Sequence, residues 1–231
     1  MKGRSMGRRV AICGALAAGL LTLAQVASAI SYGKVSAGDS VNLTKHRSER
    51  NTALPPGKTT ADIVAVGISP DSKVYTLYRD KTYSVGTSNR LDAYSKGRPY
   101  TLPTDMTPDQ IVGFDVNGKD QTFAFMWFSD GSATRMMLNP RTGKLFPIGS
   151  TYGYTLPGNL TPSDIVGVAL DDSDDLVFAY YRNGTTSAGA SDQLASKRAP
   201  KPYKLAPNRT PSDVVGMAIH SANHHVYAFY K

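Results

Sequence analysis

Five sets of side chains have types and spacings that could do chemistry. In Gly38-Asp39-Ser40-Val41 a turn could present a nucleophilic serine to an ester carbonyl, provided a histidine and an acid stand beside it. No such partners can be named from the sequence, and Gly86-Thr87-Ser88-Asn89 and Gly189-Ala190-Ser191-Asp192 hold the same place elsewhere, so Ser40 reads as a strand-end turn. In Asp171-Asp172-Ser173-Asp174-Asp175 the alternate oxygens of Asp171, Ser173 and Asp175 have the spacing of a calcium loop, without its central glycine or distal glutamate. Calcium or another cation is the only cofactor these residues suggest, against a plain polar turn. His220, His224 and His225 crowd one loop with no carboxylate near them in sequence, which suits a solvated hairpin tip better than a metal site. The aromatic residues Trp127, Tyr94, Tyr100, Tyr152 and Tyr154 could stack on sugar rings, although Trp127 falls in an apolar stretch and is expected in the core.

A fifth set depends on a repeat. Thr59-Thr60-Ala61-Asp62-Ile63-Val64, Thr107-Pro108-Asp109-Gln110-Ile111-Val112, Thr161-Pro162-Ser163-Asp164-Ile165-Val166 and Thr210-Pro211-Ser212-Asp213-Val214-Val215 are one pattern, spaced 48, 54 and 49 residues apart. Each opens with a polar turn and runs into an apolar strand. Asp62, Gln110, Asp164 and Asp213 are therefore equivalent, and around a common axis they would bring three carboxylates and an amide to a channel mouth, where hard oxygens could hold a cation. The competing reading is that each closes its own turn after Thr-Pro. Asp115 puts a charge in the middle of such a strand and requires a partner or water.

The elements that must position these groups follow from the same repeat. A second strand, Val74–Tyr78, Ala124–Phe128, Val177–Tyr181 or Val226–Tyr230, is apolar at both parities, so both its faces should be buried. Asp130-Gly131 and Asn183-Gly184 then mark hairpin turns into a third strand. Beyond it come a looser segment with Leu91 or Leu194 and a tyrosine and proline piece, Pro99–Pro103 or Tyr152–Pro157, which we place outermost because proline suits an edge strand. Ala65, Gly113, Gly167 and Gly216 are small, as crowding around an axis requires. The last repeat stops half-way at Lys231, and Gly33–Ser40 matches the missing half.

This predicts an all-β, four-bladed β-propeller of about four strands per blade. The repeats run over 59–106, 107–160, 161–209, and 210–231 completed by 32–58, so the N-terminal strand closes the last blade. The chain resembles hemopexin-like and other small propellers in that blade count, a resemblance of architecture that implies no activity.

Residues 1–29 have the form of a secretory signal: Lys2, Arg4, Arg8 and Arg9, an apolar run, then Ala27-Ser28-Ala29. One domain over 30–231, exported to the periplasm or the extracellular space, is expected to follow. The segment holds four of the 26 Lys and Arg and none of the 18 Asp and Glu, so the balance falls from +8 to +4 once it is removed. With no basic run and no interleaved aromatic stripe, nucleic acid is excluded as a partner, and stable membrane insertion is not expected. The single cysteine, Cys13, lies in the signal, which excludes disulfides and cysteine metal sites from the exported chain. These features point to a non-enzymatic, lectin-like binding protein for carbohydrate or a protein surface. The alternatives are a structural module of an envelope or extracellular assembly and, third, a hydrolase.

Overall fold

A computed structural model of the chain describes residues 30–117, 123–139 and 141–231. The signal segment expected at 1–29 lies outside the described residues. The described residues are all-β, with sixteen strands. In chain order these are β1 (Tyr32–Gly38), β2 (Arg47–Ala53), β3 (Ile63–Ile68), β4 (Val74–Tyr78), β5 (Thr82–Thr87), β6 (Arg90–Pro99), β7 (Ile111–Asn117) and β8 (Phe123–Phe128). They continue with β9 (Ser132–Leu138), β10 (Leu145–Gly153), β11 (Ile165–Asp171), β12 (Leu176–Tyr181), β13 (Thr185–Ala190), β14 (Gln193–Pro202), β15 (Val214–His220) and β16 (His225–Tyr230).

Local chemistry accounts for most of these elements. Before β3, β7, β11 and β15 stands a single 3-10 turn closed by a threonine and by the side chain three residues on. β4 and β12 are buried at every residue, as strands apolar at both parities must be. Gly131 (φ 87°) and Gly184 (φ 79°) take the left-handed conformation that closes the turns into β9 and β13.

Hydrogen bonding arranges the strands in three sheets: β15-β16-β1-β2-β6-β5-β4-β3, β10-β9-β8-β7 and β11-β12-β13-β14. The expectation of a four-bladed propeller with the hemopexin-like count of four separate blades is corrected by this order of eight, four and four. The sheets merge because β2 meets β6 in parallel at Ala53 and Arg90, where the Ala53 N–H donates to the Asn89 carbonyl at 2.8 Å. The eight-stranded sheet curls until its end strands, β15 and β3, pack on each other. The ends of the chain meet in this sheet, β1 pairing antiparallel with β16 from Lys34 opposite Tyr230 to Gly38 opposite Val226.

β7 packs on β3 and β11, and β11 packs on β15, so the four inner strands neighbour one another in a closed series. Their small residues make this approach possible: a Cβ on Gly113 would lie 2.4 Å from Val168 Cβ, and one on Gly216 would lie 2.7 Å from Val66 Cγ2. Core clusters lie between successive strand groups. Trp127, Tyr154 and Val168 fill one, and Phe178, Met217 and Tyr230 fill another.

The outermost strands differ from expectation. The strand furthest from the inner strand in each repeat is β2, β6, β10 or β14, so the segments around Leu91 and Leu194 are themselves strands. β6 and β14 each fully bury one residue, that leucine, and are exposed over most of their length, which removes the alternation by which a strand is recognised. The tyrosine after the strand acts as an anchor: the Tyr100, Tyr154 and Tyr203 hydroxyls donate to the carbonyls of Tyr78, Phe128 and Tyr181 at 2.8, 2.7 and 3.0 Å.

Candidate functional site

Asp62, Gln110, Asp164 and Asp213 are each bound to their own turn. A side-chain oxygen of each accepts from the backbone N–H of Thr59, Thr107, Thr161 or Thr210 at 2.7–2.8 Å, and from that threonine's hydroxyl at 2.8–3.1 Å. The backbone N–H bond is the leading cause holding the carboxyls of Asp62, Asp164 and Asp213 below the usual carboxylate range. Beside these turns opens a funnel of about 500 Å³, which Val64, Val112, Val166 and Val215 line together with Arg79, Arg182 and Lys231. The four capping residues do not line it.

Asp115 sits further along the inner strands, fully buried. Its Oδ1 accepts from the N–H groups of Ile68 (2.8 Å) and Val116 (2.9 Å), and its Oδ2 from those of Leu170 (2.8 Å) and Ile219 (3.4 Å). These four residues are sixth in β3, β7, β11 and β15, so one carboxyl group satisfies one amide from every inner strand. Burial pushes this carboxyl up to about 8, and the four amides pull against that rise. The partner that Asp115 required is the backbone itself.

The aromatic candidates separate by burial. Trp127, Tyr100 and Tyr154 belong to the core, Tyr94 is exposed, and Tyr152 lines a cleft of about 500 Å³. This cleft lies where β9 and β10 face the β13–β14 turn, and Arg135, Ser150, Ser191 and Asp192 also line it. Its parts are held firmly. Trp127 Nε1 donates to the Ser191 carbonyl at 2.9 Å, and the Thr155 N–H donates to the Asp192 carbonyl at 2.8 Å. The Arg135 guanidinium lies over the Phe125 ring at 5.8 Å, with Phe125 stacked on Trp127 at 6.0 Å. The Tyr152 hydroxyl, beside Ser191, is buried without a hydrogen bond of normal geometry. Burial raises its pKa above the usual phenol value, so the group is a neutral donor and acceptor.

Sequence reasoning missed Arg135 and Asp192. The repeat did hold a signal for Arg135, because the residues paired with the equivalent positions of the second strand are Ala37, Val85, Arg135 and Ala188. The second unit thus carries a charge where the others are small or apolar. It also lacks the glycine that Gly38, Gly86 and Gly189 supply to the others, having Met136 instead.

The candidates of the acidic loop and the histidine loop are rearranged. Ser173 Oγ donates to Asp171 Oδ1 at 2.7 Å, whereas Asp175 adopts a left-handed φ of 50° and takes no part. Among the described residues, the group that could hold a metal is Asp171, Asp174 and His224, whose ligand atoms lie within 4.8 Å of one another. His220 Nε2 instead meets Ser72 Oγ at 2.8 Å, and His225 stacks on His46 with centroids 4.0 Å apart. Ser40 lines the same cavity of about 300 Å³ as Asp171 and His224, but makes no hydrogen bond to either. Among the described residues no helix is long and apolar enough to cross a membrane. No family model matches the chain, and no curated protein matches it.

Proposed function

We propose that this chain is an exported, non-enzymatic binding protein that holds a carbohydrate in the cleft between β9–β10 and the β13–β14 turn. The observation that carries this reading is the set of groups on one open cleft: the Tyr152 ring, the Arg135 guanidinium, the Asp192 carboxylate and the hydroxyls of Ser150 and Ser191. A sugar presents an apolar ring face and a rim of hydroxyls that both donate and accept. An aromatic face with fixed donors and acceptors matches it. Export is supported by the form of residues 1–29.

A glycan array on the purified protein tests the reading. Saturable binding is expected, weakened by roughly tenfold or more in Tyr152→Ala and in Arg135→Ala, about 1.4 kcal/mol each, and unchanged in Ser40→Ala. The absence of any saturable signal would remove carbohydrate as the ligand, and a hydrolytic turnover lost in Ser40→Ala would make the protein an enzyme.

A further inference from the structure

We infer that Asp171, Asp174 and His224 form a site for a divalent metal ion that accepts nitrogen as well as oxygen, Zn²⁺ being the nearest fit. Two hairpins that are remote in sequence build it: Asp171 ends β11 and Asp174 lies in the turn to β12, while His224 precedes β16. Three ligand atoms, one from each residue, already lie within 4.8 Å of one another.

The donor set argues against calcium, which takes six to eight oxygens, and for a borderline cation of low coordination number bound by imidazole and carboxylate. Asp171 is the fixed member. Its side chain is 4% exposed, and Ser173 Oγ donates to its Oδ1, the kind of outer hydrogen bond that orients a ligating carboxylate. The two hairpins are also joined directly, the Asp172 N–H donating to Ser221 Oγ at 3.1 Å and Ser173 Oγ to the Ser221 carbonyl at 3.3 Å. His224 is the adjustable member, its side chain 55% exposed. Its Nδ1 stands 2.7 Å from Asp171 Oδ2, sharing a proton where a metal would share both atoms. Ligands about 2.0–2.1 Å from zinc in a tetrahedral site stand roughly 3.3 Å apart, so the ring need move out by only about half an ångström.

The cavity beside the cluster, about 300 Å³, is lined also by the Asp39 carboxylate and by Ser40. It leaves the metal's remaining positions open to water or to a small ligand. This site is separate from the carbohydrate cleft and does not depend on it.

The test is titration of the purified protein, free of any histidine tag and stripped with chelator, with Zn²⁺ alone, Mn²⁺ alone and Ca²⁺ alone by calorimetry. One equivalent of Zn²⁺ is expected to bind. His224→Ala and Asp174→Asn should each weaken it by about tenfold or more, with unchanged circular dichroism showing that the variants are folded. His46→Ala, which breaks the stacked histidine pair, should leave binding unaltered. No heat of binding at millimolar Zn²⁺, Zn²⁺ binding that survives His224→Ala, or loss of binding in His46→Ala would each overturn the assignment. Preferential binding of Ca²⁺ would do the same.

Discussion

Asp115 joins the four inner strands in a way no apolar residue could. Four buried N–H groups converge on its two oxygens, and without them each would be left unpaired at a cost comparable to a lost hydrogen bond. The fifth positions of the other inner strands, Gly67, Ala169 and Ala218, are small, and a Cβ on Gly67 would lie 3.0 Å from Asp115 Oδ1. One carboxyl group therefore fills a space shared by four strands. Asp115→Ala should cost at least about 1–3 kcal/mol, the penalty of leaving a buried N–H group unpaired. Urea unfolding of wild type and variant measures it, and a loss below about 1 kcal/mol would mean that the amides find other partners.

At the scale of the element, glycine sets where a third strand must stop. A Cβ on Gly189 would lie 1.9 Å from the Gln193 carbonyl oxygen and 2.8 Å from Ser196 Oγ, so the chain turning from β13 into β14 presses directly on this residue. Gly189→Ala should destabilise by about 1–3 kcal/mol through overpacking. Gly153→Ala, where a Cβ would meet nothing within 4 Å, should be nearly neutral. Equal shifts in the denaturation midpoints of the two variants would show that contact at the turn is unimportant. In the second unit Met136 stands in the glycine's place, β9 runs on to Leu138, and Arg135 beside it faces the cleft. The local departure from the repeat and the candidate site coincide.

At the scale of the whole molecule, β1 is the strand on which the eight-stranded sheet depends. It pairs with β16 on one side and β2 on the other, buries Val35 and Ala37, and brings Ser36 Oγ within 2.9 Å of the Tyr230 hydroxyl. Deleting residues 30–40 would leave β16 with an open edge. It would also remove buried side chains worth roughly 1.5–3 kcal/mol each, against a usual total of about 5–15 kcal/mol. The truncated protein should melt well below wild type or aggregate. An unchanged melting midpoint together with monomeric elution would show that the pairing of the chain's ends is dispensable.

What the sequence determined by itself was what neighbouring residues decide among themselves. The Thr-x-x-Asp turns, the aromatic second strands and the Asp-Gly and Asn-Gly hairpins are closed by bonds spanning a few residues, so they can be read directly, and with them the all-β class. The pairing of β1 with β16 was legible too, because the repeat is cut across the chain's ends. Three things were left to tertiary structure. Whether units merge into one sheet turned on contact at Ala53 and Arg90, in strands too exposed to carry a pattern. The cleft needed Arg135 and Asp192 from different sheets, and only the break in the repeat at Arg135 hinted at it. Asp171 and His224 are 53 residues apart, in loops that read separately as a cation turn and a histidine-rich tip. Side chains on separate hairpins come within bonding distance only when packed strands beneath them fix where each hairpin ends, and no local pattern records that placement.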